Sequence, residues 1–451
     1  MQSTLYFYGA AGMVTGSNFL LDTGTSKLLV DCGLMQGMGE ERNWEPFVYE
    51  PKEISHLIVT HAHIDHIGRI PLLVKKGFKG KIISTKATMA LAEPLLLDAM
   101  EIVAHAAEKG GRGELYNARD IAEAMGLWSG IGYGEEVALP DGVSLTLLDA
   151  GHILGSAMVR LSRQGRSIVC TGDLGGGNSP LLPPTHEVAD ATYVVMEGTY
   201  GDKVRPEDSQ RREELENVIE ETIARGGTLL IPAFSTERTQ DLMYEIRTLM
   251  VEKRVPSVPV FVDSPLAQKI TRAFVAHPEY FTPEIRTRVE AGEDIFGFPE
   301  LRFVENAEES RRVHETAGPK IILAGSGMSS GGRVIGHERK LLPDPKSTLL
   351  IVGYQAAGTI GRRLIEGART LTLYKEHIPV RAKIETLYGY SAHRDSEGLL
   401  EFVNKTASTA EEVFVVHAEP AAAAFLAQRI RDYLSVKATV PQAGDKIVLQ
   451  F

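Results

Sequence analysis

Thr60-His61-Ala62-His63-Ile64-Asp65-His66-Ile67-Gly68 places four metal-ligand side chains within six residues. The apolar run Leu57-Ile58-Val59 before it reads as a buried strand, and a helical pattern follows from Ile67 through Lys76. Ligands held where a strand gives way to a helix sit on rigid backbone, as a precise metal site requires. Imidazole with carboxylate suits zinc, iron or manganese better than calcium or magnesium. Four ligands this close exceed what one tetrahedral ion easily takes from a single turn, so the spacing favours two metals sharing the loop. A solvated loop with chance histidines is the competing reading, and the density of good ligands disfavours it. The run points to a metal-dependent hydrolase.

His-x-His-x-Asp-His after a short apolar strand resembles the signature of the metallo-β-lactamase superfamily. The resemblance implies that His61 and His63 bind one metal, and Asp65 and His66 the other. Asp31, ending the strand-like Leu28-Leu29-Val30, matches the family's first motif, an acid that orients a ligand histidine. His152 in Ala150-Gly151-His152 matches the third motif, and Asp173 in Cys170-Thr171-Gly172-Asp173 the fourth, the carboxylate that bridges both metals. A lone strand-end Asp or His is usually structural. The ordered set is a strong match.

Composition agrees with that class. At 451 residues the chain exceeds the usual size of one core, which predicts two domains. Apolar content of 43% and charged content of 24% are ordinary for a globular protein. The start Met1-Gln2-Ser3-Thr4-Leu5-Tyr6 shows no basic segment followed by an apolar one, so a cytoplasmic location is expected. No apolar run approaches the ~20 residues of a membrane span. Cys32 and Cys170, the only cysteines, read as reduced core residues, with a disulfide left open.

Net charge of −11 argues weakly against a nucleic-acid partner, but the distribution is uneven. From Gly331 to Lys383 ten Lys/Arg face four acids, so that segment is +6 and the rest of the chain −17. Such asymmetry suits either a local polyanion-binding face or a solvated surface with scattered bases.

Strands alternate with helical patterns, the mark of α/β architecture. A long amphipathic helix is expected from Ala87 to Lys109, and a charged one from Asp208 to Arg225. Strand Thr228–Ile231, helix Thr236–Glu252, strand Val258–Val262 and helix Ala267–Ala276 continue in a doubly wound rhythm, with strands Ile321–Ala324 and Leu349–Val352 beyond. The acidic stretch Glu290–Glu315 is the least regular.

Glu197 in Met196-Glu197-Gly198-Thr199 resembles motif A of the β-CASP nucleases, the branch with a second domain spliced in after the fourth motif. His393 in Tyr390-Ser391-Ala392-His393 resembles motif B, and His417, after Val413-Phe414-Val415-Val416, motif C. Pro232-Ala233-Phe234-Ser235, Asp263-Ser264-Pro265, Gly325-Ser326-Gly327-Met328 and Gly353-Tyr354-Gln355 look like that branch too. The likeness spans nearly the whole chain and points to the RNA-processing subgroup, which includes the endonuclease of pre-mRNA 3′-end formation. Gly198, where the subgroup often has Ser, and Ala418-Glu419 in place of Gly-Glu are departures.

The resemblance implies a metallo-β-lactamase αββα sandwich, residues 1–203 and 371–451, with an inserted β-CASP α/β domain over 204–370. It implies two zinc ions per chain, with manganese or iron left open. One would take His61, His63, His152 and Asp173; the other Asp65, His66, Asp173 and His417. Catalysis is expected from Asp65, His393, Glu197 and Asp31. A hydroxide between the metals would attack phosphorus, and His393, oriented by Glu197, would protonate the leaving 3′ oxygen. Single-stranded RNA is the expected substrate, with 5′-phosphate and 3′-hydroxyl products. Ser326, Ser329, Ser330 and Arg333 are expected to cradle a neighbouring phosphate, with a helix cap as the alternative. No membrane partner is expected, and a homo-oligomer is compatible. DNA cleavage, small-molecule thioesterase or lactonase activity, and a non-enzymatic complex subunit are the rival readings. Seven histidines receive no chemistry. Among them, His314 and His337 are expected as surface or capping residues.

Overall fold

A computed structural model of the chain describes residues 2–37, 39–204, 211–353, 355, 358–390 and 392–451. Tyr354, Ser391 and the first residues of the charged helix, 208–210, lie outside the described residues. The chain divides into two compact units. One comprises Met1–Gly177, Leu182–Val204 and His393–Phe451; the other comprises Asn178–Leu181 and Arg205–Ala392.

The first unit holds two seven-stranded sheets. In one, Lys446–Gln450, Gln2–Gly9, Asn18–Asp22 and Lys27–Val30 pair antiparallel, and Ile54–Ile58, Lys81–Thr85 and Trp128–Ile131 add in parallel. Gln2–Gly9 shows why its sequence makes a strand. Every second side chain is buried, the period of a pleated ribbon. The other sheet runs Lys437–Thr439, Glu412–Val416, Tyr193–Glu197, Arg166–Cys170, Ala157–Arg163, Ser144–Asp149, Glu136–Ala138. Leu5, Phe7, Leu21 and Leu28 from the first sheet pack against Leu145, Val159, Val195 and Phe414 from the second. The Phe7 and Phe414 rings meet at 5.4 Å, and removing either ring from such a core costs about 3–5 kcal/mol. Behind the second sheet, Leu399 and Phe402 of helix Ser396–Thr406 and Leu426 and Ile430 of helix Pro420–Leu434 form another core with Val169, Val194 and Val413. Helix Lys86–Lys109 packs on the first sheet. The result is the expected αββα sandwich. Cys32 and Cys170 are buried free thiols.

The second unit is built on a six-stranded sheet, Leu301–Phe303, Val260–Asp263, Lys320–Ala324, Thr228–Pro232, Thr348–Ile351, Lys383–Thr386, parallel throughout. Its central strands are buried on both faces, so they read as continuous apolar runs. Helices Arg238–Val251 and Pro265–Ala276 match the expected pair, and Ser264 caps the second with its side chain. The irregular stretch does hold structure: edge strand Leu301–Phe303 and helix Ala307–Arg312, capped by Asn306. Three residues at an edge are too few to show a period. The domain bound drawn at 370 falls within this unit. A hairpin, Thr370–Leu373 with Glu376–Pro379, follows it and buries Leu371, Leu373 and Ile378 in the core with Val334 and Leu349.

The glycine-rich run in this unit is bonded inward. Ser329 is buried at φ 54°, and its hydroxyl donates to the buried Glu338. The Arg333 guanidinium donates to Asp263 and to the carbonyls of Val304 (3.0 Å) and Glu305 (2.8 Å). His337 differs from expectation. It is buried, bonded through Nε2 to Asp263 at 2.7 Å and through Nδ1 to His314 at 2.9 Å. Nothing in local sequence marks it, because its partners come from distant strands and turns. Burial also pushes the Glu338 carboxyl from 4.5 up to about 7.

An acid whose folded pKa is raised stabilises most while protonated, and that contribution is lost as pH rises from 4.5 through about 7. Glu338→Gln keeps an acceptor for Ser329 and removes the titration. Thermal melts should therefore show the variant stabilised near pH 8.5, by up to about 3 kcal/mol, and little changed near pH 4. A stability difference that does not vary with pH would contradict this.

Candidate metal centre

The strand ends of the sandwich deliver the ligands. Strand Ile54–Ile58 leads into a loop whose last residue, His63, opens the short helix Ile64–Ile67 carrying Asp65 and His66. The helical pattern expected from Ile67 onward is realised as that turn plus Ile70–Lys75. His152 follows strand Ser144–Asp149, Asp173 follows Arg166–Cys170, and His417 follows Glu412–Val416. Where these loops abut, the backbones touch. A Cβ on Gly175 would lie 1.8 Å from the Gly151 carbonyl oxygen, so only glycine lets the His152 and Asp173 loops meet.

Three candidate ligand groups result among the described residues, the third being Asp173, Glu197 and His393. His61, His63, His152 and Asp173 offer atoms all within 4.8 Å of one another, and so do Asp65, His66 and His417. In the first group His63 Nδ1 lies 3.0 Å from His61 Nε2 and 3.3 Å from His152 Nε2. Asp173 Oδ2 lies 3.4 Å from each of those two Nε2 atoms. Four donors around one tetrahedral ion at 2.0–2.1 Å are separated by about 3.3 Å, so the spacing fits zinc. The second group is looser. His66 Nε2 and His417 Nε2 lie 3.4 and 3.6 Å from Asp173 Oδ1, and 3.9 and 3.7 Å from Asp65 Oδ2. Asp173 thus divides its two oxygens between the groups.

Electrostatics support cation binding. Asp173 Oδ1 and His66 Nε2 are buried atoms without a hydrogen-bond partner, an arrangement that costs free energy unless something positive sits between them. Burial, reinforced by neighbouring imidazoles, holds His63 and His152 well below the ordinary histidine range, leaving them as neutral ligands.

Asp31 and Glu197 brace the set. Asp31 Oδ2 lies 2.7 Å from His66 Nδ1, which fixes the ring with Nε2 toward Asp173. Asp31 also accepts from the Thr60 N–H (2.8 Å) and from the Ser17 hydroxyl (3.0 Å). Both Asp31 (φ 58°) and His417 (φ 49°) hold left-handed backbone, a strain of about 1–3 kcal/mol each that surrounding contacts must offset. Glu197, fully buried in its side chain, accepts the Leu174 N–H at 2.6 Å and lies 3.1 Å from His393 Nδ1. Burial alone would lower the His393 pKa, but the Glu197 carboxylate outweighs it and raises it to about 9. His393 also pairs with Gly175 in an isolated bridge, and its ring lies 4.7 Å from that of His152. Sequence reading missed Ser17, Thr60 and the Leu174 N–H. Hydroxyls and amides of that kind stand beside most strands, and only their aim distinguishes them.

Ten expected residues thus converge: Asp31, His61, His63, Asp65, His66, His152, Asp173, Glu197, His393 and His417. The four expected phosphate contacts do not form a cluster of this kind. Ser329 and Arg333 serve the second unit's own packing, and the Ser326 hydroxyl accepts the Ser330 N–H at 3.1 Å within one turn. The two sequence departures meet. A Cβ on Gly198 would lie 2.8 Å from Val415 Cγ1 and 3.2 Å from Ala418 Cβ, so the small residue at 198 makes room for the methyl at 418.

Residues 11–220 match the Metallo-beta-lactamase superfamily, 239–364 the Beta-Casp domain, and 377–441 the Zn-dependent metallo-hydrolase RNA specificity domain. Ribonuclease TTHA0252 of Thermus thermophilus is 37% identical over 413 residues, covering 91% of this chain and 92% of its own. An RNase J-like protein of Methanocaldococcus jannaschii is 31% identical, over 98% of each chain. Transcription termination factor FttA of Methanosarcina mazei is 31% identical, over 95% of this chain and 69% of its own. A solved structure of a protein of unknown function from Enterococcus faecalis shares the fold, with TM-score 0.58 and 12% identity over the full length of both chains.

Two outcomes are expected. Asp173→Ala should lower metal content at both candidate positions, measured by elemental analysis of the purified protein, whereas loss of a single ion would show that the carboxylate does not bridge. Gly198→Ser should cost about 1–3 kcal/mol in denaturant unfolding, and adding Ala418→Gly should recover part of it.

Proposed function

The chain belongs to the β-CASP branch of the metallo-β-lactamase superfamily, metal-dependent hydrolases of the RNA-nuclease family, and on that premise we propose that it is a cytoplasmic endoribonuclease of single-stranded RNA. The observation that carries the reading is the division of the Asp173 carboxylate between two histidine groups, with the His393–Glu197 pair beside them. His61, His63, His152 and Asp173 would hold one zinc ion, and Asp65, His66, His417 and Asp173 a second. Zinc, if bound there, would supply a water of pKa about 7 and would neutralise charge on phosphoryl oxygens.

The chain's own residues do the rest. Asp31 keeps His66 in one orientation. Glu197 accepts from His393 Nδ1 and, by raising the ring's pKa to about 9, keeps it as the imidazolium near pH 7, so Nε2 also carries a proton and can give it to the 3′ oxygen as its bond to phosphorus breaks. The products would be a 5′-phosphate on one fragment and a 3′-hydroxyl on the other. Protonation of this leaving group is needed because an alkoxide is a poor one. The ordinary role of the His–carboxylate pair in acid–base catalysis supports assigning it here.

His393→Ala should therefore retain both metals while the cleavage rate falls by about 10²–10⁴-fold. Glu197→Gln should lose less, since it orients the ring. An RNA with a 3′-bridging sulfur, which leaves without protonation, should largely rescue His393→Ala. Equal impairment on both substrates would assign His393 to binding. Faster cleavage of a matched DNA oligonucleotide would overturn the choice of RNA.

A further inference from the structure

We propose that the hairpin Thr370–Leu373/Glu376–Pro379 of the second unit, with the end of helix Val334–Leu341 beside it, is a docking surface for single-stranded RNA made of residues outside the metal centre. The proposal rests on the RNA-nuclease reading and adds a binding surface to it.

The structure resolves the charge asymmetry of residues 331–383. All four acids of that segment are occupied. Glu338 is buried and bonded to Ser329, Asp344 accepts from Ser347, Glu366 pairs with Arg362, and Glu376 pairs with Arg339 at 2.6 and 2.7 Å. Arg333 and Lys383 are also ion-paired. Lys340, Lys346, Arg363, Arg369, Lys375 and Arg381 are exposed and have no acidic partner among the described residues. Four of these gather at the hairpin. Val380 N–H donates to the Arg369 carbonyl at 2.9 Å, and Arg381 N–H donates to the Leu342 carbonyl at 2.7 Å. Arg369 and Arg381 therefore flank the hairpin base, next to Lys340 at the helix end, while Lys375 stands at the tip.

The tip gives a second, independent observation. Tyr374 (φ 48°) and Lys375 (φ 68°) both hold left-handed backbone, the two-residue turn that Asn-Gly adopts most easily. Conformational preference does not explain a tyrosine and a lysine there. The side chain's exposure is notable: Tyr374 is 63% exposed, beside Lys375 in sequence. Thr370, Thr372 and His377 continue the exposed polar face, while Leu371, Leu373 and Ile378 are buried on the other. Unpaired cations track a phosphate backbone, and an exposed ring stacks a base, so the combination suits single-stranded RNA better than an acidic protein segment, which needs only the charge.

The test is filter binding at brief contact times with oligouridylates of about 40 and about 8 nucleotides across a salt series. Combining Lys340→Gln, Arg369→Gln, Lys375→Gln and Arg381→Gln should reduce the log–log salt slope for the long RNA by about 3, at about 0.7 per phosphate. Tyr374→Ala should weaken long-RNA binding about tenfold, and Tyr374→Trp should restore it. Cleavage of the short RNA should be unchanged in every variant. Unaltered slope and affinity for the long RNA would overturn the proposal. So would loss of polyglutamate binding with RNA binding intact. A wild-type protein that cuts no RNA would refute the nuclease reading, and the binding comparison would still decide the docking surface.

Discussion

One buried carboxylate organises the first unit. Asp173 is 2% exposed and faces four imidazole nitrogens at 3.4–3.6 Å, two from each of its oxygens. Buried nitrogens and oxygens packed this closely leave lone pairs unsatisfied unless a positive charge lies among them. The fold accepts that cost because four separate loops bring the groups there, each anchored by a strand end. The site is therefore a property of the sandwich, and the sandwich core of Phe7, Leu145, Val195 and Phe414 is what holds the strand ends in register.

Around that carboxylate, two further acids hold histidines in place. Asp31 fixes His66 and is itself held by Thr60 and Ser17. Glu197 ties His393 to the backbone beside Asp173 through Leu174. Each acid bonds its histidine and also accepts from a backbone amide, which favours one orientation of each ring. The left-handed backbone at Asp31 and His417 shows the same priority, with local strain tolerated where side-chain aim matters.

The second unit obeys a different logic. Its parallel strands are apolar throughout, and its polar residues are spent on internal networks: Asp263 with Arg333 and His337, Ser329 with Glu338. That explains why Ser329 and Arg333, which look like parts of a phosphate cradle in sequence, are bonded inward. This unit also offers to solvent the cations around its hairpin that have no acidic partner among the described residues.

The amino-acid sequence by itself determined the fold class and the ligand types. The density of His and Asp between residues 61 and 66, and the order of strand-end motifs after it, are local patterns, and local patterns survive in one dimension. It also determined the buried parallel sheet of the insert, since a strand covered on both faces must be apolar at every position. Only the tertiary structure decided which oxygen of Asp173 faces which histidines, that His337 is buried, that Gly198 and Ala418 touch, and that the insert's hairpin belongs to its core. Those outcomes depend on partners up to hundreds of residues apart. A side chain's identity says what it can bond, but only the packed chain fixes where it points and whether a neighbour has already taken it.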